Sequence, residues 1–577
     1  MPAEPHITTS ARGTAFIGES MVDLLRFRAA LQGTDRAYTF LRDGESESAM
    51  LSWAALDRRS RAVAAHLQGC LSAGARVLLL YPPGLEFVAA FYGCLYAGVV
   101  AVPVPPPQPG RSNRGFSRLL AIARDAEPAA VLTTRDILGR WPRDTARAAR
   151  GESRRSSLPF PSILTDEIPD ELAEAWRDPA VDRRTLACVQ YTSGSTAEPK
   201  GVMVSHGNLL HNLAYAFRLA GSAAASVSVS WLPVTHDMGL IDGVLQPAFS
   251  GCPAYLMSPA AFLQRPARWL AAITRYGATR SGGPNFAYDL CVRKVGPEER
   301  ATLDLSTWHN AYNGAEPIRA DTLAAFAAKF AGCGFRPSAF RPCYGLAEAT
   351  LVVASARWDG DATSQVSCGR PAFGTRVVIV DLETGRLSPA GLVGEIWVSS
   401  PSVALGYWNR PDDTARTFQA RTPDDAGPFL RTGDLGFIRH GELVVTGRLK
   451  DLLIVRGFKH FPQDLEHTAE RQHPSVRPGS TAAFAVTSDV HGYRILLVAE
   501  VDLRKLRGAD TADGVIAAIR GAIAESHGVQ LHGVVLVAPG AIPKTTSGKL
   551  QRFACRQALI AETMPVLARS DSMPANA

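Results

Sequence analysis

At 577 residues, 46% hydrophobic and 20% charged, the chain is too long for one simple core and has the composition of a globular protein, so two or more domains are expected. Its formal charge of +7 comes from 61 Lys+Arg against 54 Asp+Glu; this mild excess argues against nucleic-acid binding and fits a solvated surface or a docking face for an acidic partner. Nine scattered cysteines form no C-x-x-C pair, and there is neither a signal-type segment nor an apolar run of membrane-spanning length, which together read as a cytoplasmic protein with reduced thiols and no membrane span.

In chain order, the first twenty residues read as loosely attached. Residues 21–68 are mostly helical in pattern, with a strand over Arg36–Leu41. A buried strand is expected over 77–81, stopped by Pro82-Pro83, then a helix over 86–97 and a strand over 99–104. Pro105-Pro106-Pro107-Gln108-Pro109-Gly110 breaks regular structure. A strand over 129–133 follows, and the basic stretch 143–157 reads as an exposed, mobile connection. Strand and helix alternate to about residue 350, which predicts α/β layers on largely parallel sheets. Strands over 377–381, 394–398 and 443–446 form a β-rich section. The C-terminal part has its own small α/β pattern: strands over 494–501 and Gly533–Val537 flank Val515, Ile516, Ile519 and Ile523 at helical spacing.

The chemistry-bearing motifs lie between these elements. Gln190-Tyr191-Thr192-Ser193-Gly194-Ser195-Thr196-Ala197-Glu198-Pro199-Lys200-Gly201 follows a short apolar strand, 186–189, and precedes a helix beginning near Asn208. Gly194 and Gly201 let the backbone bend closely around an anion, hydroxyls and N–H groups donate to phosphate oxygens, and Lys200 adds a mobile charge. A solvated Ser/Thr loop is the bland alternative. Pro199 before Lys200 departs from the nucleotide P-loop, so the stretch suggests ATP handling without the usual NTPase fold.

Trp231-Leu232-Pro233-Val234-Thr235-His236-Asp237-Met238-Gly239-Leu240 carries a His-Asp pair that reads equally as structure or as a pocket group beside a carboxylate. Ser281-Gly282-Gly283-Pro284-Asn285 is a tight turn that lines a ligand or merely bends the chain. In Tyr312-Asn313-Gly314-Ala315-Glu316-Pro317, small residues permit close approach of a flat ring. Cys343-Tyr344-Gly345-Leu346-Ala347-Glu348-Ala349-Thr350 offers an aromatic face and a carboxylate. A carboxylate facing phosphates needs a cation between them, which suggests Glu348 as a Mg²⁺ ligand. Arg431-Thr432-Gly433-Asp434-Leu435-Gly436 places Asp434 on a turn, where one carboxylate can accept from both ribose hydroxyls. Gly447-Arg448-Leu449-Lys450-Asp451 is a charged turn or a surface salt-bridge cluster, and Lys549, taken alone, is an ordinary surface lysine.

In this order the motifs resemble the adenylate-forming superfamily of acyl-CoA synthetases, peptide-synthetase adenylation domains and luciferases, over about residues 21–558. His236-Asp237-Met238-Gly239-Leu240, the Tyr312 and Tyr344 motifs, and Phe461-Pro462-Gln463-Asp464-Leu465-Glu466 most resemble the fatty acyl-AMP ligases. The resemblance implies a large multi-layer N-terminal α/β domain with a β-rich subdomain over 1–447. It implies a small, mobile C-terminal α+β lid over 448–577, hinged at Lys450.

The implied reaction uses ATP and Mg²⁺ to convert a hydrophobic, fatty-type acid to an acyl-adenylate with release of pyrophosphate, then transfers the acyl group to the phosphopantetheine thiol of an acyl carrier protein. By this analogy Thr192, Ser193, Gly194, Ser195, Thr196 and Lys200 hold the phosphates, and Glu348 holds the metal. Tyr344 stacks on adenine in an AMP site shared with Asn313, Gly314, Ala315 and Gly345. Asp434 binds ribose with Arg448 in support. Lys549 reaches the carboxylate and the bridging phosphate oxygen. His236 lies near the carboxylate, with Gly239 and Gly283 along the acyl pocket.

Three positions depart from the pattern: Ala197 replaces the usual glycine, Lys459 the subgroup's asparagine, and the short, polar 351–367 segment an insertion thought to disfavour coenzyme A. Transfer to coenzyme A, or adenylate formation completed by a separate partner, therefore stands beside the carrier-protein reading. A non-catalytic acyl or nucleotide sensor is disfavoured by the joint presence of Lys200, Glu348, Asp434 and Lys549.

Overall fold

The computed structural model describes residues 7–8, 15–16, 18–106, 114–139, 160–192, 199–220, 226–361, 365–455, 458–488, 492–505, 511–545 and 548–570. The basic 143–157 connection and Ser193 to Ala197 of the phosphate-type loop lie outside the described residues.

Two sheets form the body of the protein. The first has six strands in the order Lys200–Ser205, Leu186–Thr192, Val100–Pro103, Arg76–Leu79, Ala130–Thr133 and Ser162–Leu164, antiparallel only at its first pair. The second has eight: Val352–Ser355, Phe340–Gly345, Asn310–Asn313, Arg280–Gly283, Ser228–Ser230, Ala254–Met257, Arg36–Leu41 and Glu47–Ser52. Its centre is parallel and its two edge pairs are antiparallel. Uninterrupted apolar runs such as Val77–Leu80 are buried on both faces, as parallel strands covered by helices must be. The exposed edge strand Glu47–Ser52 has no such run, which is why its sequence reads as part of a helical stretch.

A five-stranded, antiparallel sheet follows, built from Arg376–Val380, Gly394–Ser399, Asp425–Arg439, Ala420–Thr422 and Glu442–Arg448. The C-terminal module holds the hairpin Leu453–Val455/Phe458–His460 and a four-stranded sheet of Val476–Ser488, Gly492–Val501, Gly533–Val537 and Val566–Arg569. Helix Ala512–His527 is started by the Thr511 side chain and ended by left-handed Gly528, and it buries Val515, Ile516, Ile519 and Ile523 as their spacing predicts.

Three sequence expectations change. The N-terminal stretch is tied down where it is described: Phe16 packs on Phe27 at 5.6 Å, and Ser20 with Asp23 forms a capping box for helix Met21–Gln32. The 351–367 segment is not polar throughout, since Val352–Ser355 is an edge strand paired with Phe340–Gly345. Asp434 is not on a turn but within the strand Asp425–Arg439, at an irregularity beside left-handed Gly433.

Candidate active site

Gly283, Asn313, Tyr344 and Gly345 all fall at the carboxyl ends of neighbouring strands, where open α/β sheets take their ligands. Small residues here answer to packing as well as to any ligand. A Cβ on Gly314 would lie 2.6 Å from Cys343 Sγ, one on Gly239 would run into the Pro233 carbonyl, and one on Gly345 into that of Leu351. Ala315 is held at φ 71°, a left-handed conformation that an alanine rarely adopts. Asn313 is fully buried and donates to Asn285 Oδ1 at 3.3 Å. Glu316 accepts from the Phe286 N–H, capping helix Asn285–Lys294, and burial raises its carboxyl.

Asp434 is a buried carboxylate with both oxygens engaged. Tyr344 O–H donates to Oδ2 at 2.8 Å, and Arg448 Nε to Oδ1 at 3.1 Å. The irregularity that turns it inward is pinned by Glu395, which sequence reasoning missed. Buried Glu395 accepts from Gly433 N–H at 3.2 Å and pairs with Arg431 at 2.9 Å. An acidic residue in an otherwise apolar strand, Gly-Glu-Ile-Trp-Val-Ser, was the available signal.

Lys200 and Glu348 meet through Tyr407. The Tyr407 O–H donates to Glu348 Oε1 at 2.8 Å, the Lys200 ammonium lies 4.8 Å from the Tyr407 ring centre, and Lys200 pairs with Asp413 at 2.9 Å. Burial raises the Glu348 carboxyl, the expected state of a carboxylate short of positive charge. Tyr407 and Asp413 were also missed; the aromatic Gly-Tyr-Trp followed by an acidic helix start at Pro411–Phe418 could have marked them.

The third cluster joins the C-terminal module to the body. Lys549 follows left-handed Gly548 in a tight loop, where its N–H donates to Thr545 Oγ1 at 3.0 Å. Gly548 rests on the Phe286 ring so closely that a Cβ would come within 2.8 Å. Lys549 Nζ then reaches His236 Nε2 at 3.2 Å. The other ring nitrogen, Nδ1, is 2.6 Å from Asp237 Oδ1. The tautomer that satisfies both contacts puts the proton on Nδ1, leaving Nε2 to accept from the ammonium. Burial alone would raise the Asp237 carboxyl, but His236 and Lys549 hold it down to about 2. Burial lowers the Lys549 ammonium, against the pull of Asp237, Glu316 and Asp434.

The structure thus gathers His236 with Lys549, Asp434 with Tyr344 and Arg448, and Lys200 with Glu348. Gly283 lies under the Trp231 indole, whose Cζ2 would be 2.6 Å from a Cβ, and Trp231 stacks on Phe262 at 4.0 Å. Lys450 lies in the turn Leu449–Asp451. Thr192 ends its strand, while Ser193, Gly194, Ser195 and Thr196 lie outside the described residues.

Residues 25–408 match the AMP-binding enzyme family, two thirds of the chain. The chain belongs to the AMP-binding enzymes. Residues 450–569 match the AMP domain of the Disco-interacting protein 2-like family. A relative from Moorena producens (strain JHB), named medium-chain-fatty-acid–[acyl-carrier-protein] ligase JamA, is 44% identical over 94% of this chain and 96% of its own. The long-chain-fatty-acid–AMP ligase FadD26 of Mycobacterium marinum is 38% identical over 93% and 96%. Among solved structures, a fatty acid AMP ligase from Legionella pneumophila superimposes with a TM-score of 0.71 at 38% identity, covering 96% of this chain and 98% of that one. A fatty acyl-adenylate ligase from the same organism, solved with acyl adenylate and pyrophosphate, matches equally well. The clusters around Lys549, Asp434 and Glu348 therefore sit in a member of the AMP-binding enzymes, on that family's α/β fold.

Proposed function

We propose that this AMP-binding enzyme activates a hydrophobic, fatty-type carboxylic acid with ATP, releasing pyrophosphate, and passes the acyl group to the phosphopantetheine thiol of an acyl carrier protein. The observation that carries this reading is the 3.2 Å contact between Lys549 and His236, which brings a half-buried cation from the C-terminal module to the body's His-Asp pair. The names of the ligase relatives agree with it.

In the first half-reaction an acid oxygen attacks the α-phosphorus of ATP, the bond to the bridging oxygen breaks, and pyrophosphate leaves with the electron pair. Lys549 donates to both the incoming carboxylate and the bridging oxygen, and His236 supports the carboxylate side. Asp434 accepts from the ribose hydroxyls, and Tyr344, tied by its hydroxyl to Asp434, presents its ring to adenine beside Asn313, Gly314, Ala315 and Gly345. Lys200 exchanges Asp413 for phosphate oxygens, alongside Thr192 to Thr196.

The half-buried Glu348 carboxylate, raised by desolvation and met at Oε1 by a neutral hydroxyl, is suited to a divalent cation and would hold Mg²⁺. When bound, the ion neutralises phosphate charge. In the second half-reaction a thiol sulfur attacks the acyl carbon and AMP leaves. Residues 448–577 act as the lid that withdraws Lys549, with the turn at Lys450 as hinge. All nine cysteines are unpaired, which suits a reducing compartment such as the cytoplasm.

Coenzyme A is the second acceptor to weigh: Val352–Ser355 is taken up in the sheet, so the chain that follows it leaves little length for an insertion. A single-turnover assay with ATP, Mg²⁺ and a panel of hydrophobic acids, chased with coenzyme A or a phosphopantetheinylated carrier, tests both. Acyl transfer to the carrier alone supports the proposal, acyl-CoA formation replaces the acceptor, and absence of adenylate from every acid refutes it.

A further inference from the structure

One buried ion pair lies on the acyl side and is not used in the reaction above. Asp242 belongs to the π-helical segment Met238–Leu245, which starts at the His236-Asp237 pair. Arg280 opens the strand Arg280–Gly283, whose other end is the Gly283 that Trp231 covers. Arg280 Nη2 pairs with Asp242 Oδ1. The two residues are 5% and 7% exposed, and the Tyr312 ring centre is 5.7 Å from the guanidinium. Arg280 Nε and Nη1 and Asp242 Oδ2 have no hydrogen-bond partner among the described residues.

Both elements lead away from the proposed reacting centre, one from His236 and one from Gly283, and the pair joins the middle of the first to the start of the second. At strand rise, Arg280 lies roughly 10 Å beyond Gly283. A buried pair left with two donor atoms and one acceptor unsatisfied is expensive unless a bound group meets them. Those atoms have the chemistry of a polar receptor: two guanidinium nitrogens to donate and one carboxylate oxygen to receive. A second carboxylate would be repelled by Asp242, and a ketone would leave Oδ2 unmet. A hydroxyl meets both sides, accepting from Arg280 and donating to Asp242.

We propose that Arg280 and Asp242 set substrate specificity, and that the acid this enzyme takes carries a hydroxyl group on its chain or ring at the depth of the pair. This rests on the acyl-activation reading, so its test is a binding measurement that needs no turnover. The dissociation constant of decanoic acid is compared by calorimetry with those of its monohydroxylated counterparts, the hydroxyl moved one carbon at a time. One position is expected to bind roughly 10- to 100-fold more tightly than decanoic acid, the range for a hydrogen bond to a charged group.

The variant R280M/D242L removes that preference while still binding decanoic acid. Asp242→Asn, of the same shape, provides a gain that misfolding cannot mimic. Freed of the aspartate, Arg280 favours the dicarboxylic acid whose second carboxylate falls at the preferred position. Equal or weaker binding of every hydroxylated acid, or a preference that survives in R280M/D242L, overturns the proposal and leaves the pair as internal structure satisfied by water. ATP–pyrophosphate exchange with decanoic acid, measured separately, shows whether the activation reading itself has failed.

Discussion

The proposed nucleotide end and the proposed acyl end of this site are built from different materials. At the nucleotide end the polar side chains are already engaged: Asp434 with Tyr344 and Arg448, Glu348 with Tyr407, Lys200 with Asp413. At the acyl end Phe262 and Phe286 each pack on Trp231, and the buried charges Arg280 and Asp242 are only half satisfied. The first arrangement is preorganised for a ligand whose charges are the same in every turnover. The second fits a ligand defined by shape and by one polar group. Lys549 stands where the two meet, and losing it should do the most damage.

Lys549→Ala is expected to slow adenylation about 10²–10³-fold, as removal of one preorganised donor does. Transfer from preformed acyl-adenylate to a thiol should keep its rate. The working form of Lys549 is the charged one, and burial lowers its pKa. Wild-type adenylation should therefore fall as pH rises, before the ordinary lysine range is reached, and the variant should lack that alkaline limb. Rapid-quench kinetics across pH measure both.

Next comes Asp434→Asn, which tests the nucleotide end alone. A hydrogen bond to a charged group is worth about 1.5–3 kcal/mol, so the KM for ATP should rise roughly 10- to 100-fold. The KM for the acid should not change. If both constants rise together, the two ends are not separate.

Gly283→Ala tests the acyl end. Its Cβ would come within 2.6 Å of Trp231 Cζ2, and overpacking of this kind costs about 1–3 kcal/mol. The KM for the acid should rise roughly tenfold, with little effect on ATP, and W231F in the same chain should recover part of the loss. Unchanged acid kinetics would place the acyl group elsewhere.

The same contrast explains what could be read from the sequence. The strand Gly533–Val537 is legible as an uninterrupted apolar run buried at every position, and the helix carrying Val515, Ile516, Ile519 and Ile523 is legible because its burial follows a helical period. The nucleotide-end residues were legible because they sit in short motifs. Glu395, Tyr407 and Asp413 were not, because each acts through a residue far away in the chain: Glu395 on Gly433, Tyr407 on Glu348, Asp413 on Lys200. The composition of Thr-Gly-Asp predicts a turn at Asp434, whereas cross-strand pairing with Arg448 carries the chain through as a strand. The Asp242–Arg280 pair belongs to no motif, and only the juxtaposition of a π-helical segment with a strand start brings it together.

The smallest effect should come from the contact that sets the C-terminal module against the body. Arg319 Nη1 lies 2.7 Å from His467 Nδ1 and 3.6 Å from Glu470, while Asp321 meets His467 Nε2 at 3.2 Å and Arg471 at 3.7 Å. Partly exposed pairs of this type contribute about 0.2–1 kcal/mol, so Asp321→Asn should slow adenylation by no more than roughly fivefold. Salt should bring wild type and variant together. His467's hydrogen bond, ahead of an opposing burial effect, holds the Asp321 carboxyl down to about 2. Its contribution is therefore complete above the ordinary aspartate range and lost only as pH falls toward 2, so the difference between wild type and variant should be flat across neutral pH. Calorimetric binding of the acid without ATP should be identical in the two proteins, because the acyl end is walled by the body. A change in acid affinity would show instead that the module reaches the acyl end, through Gly548 on Phe286 and Phe286 on Trp231.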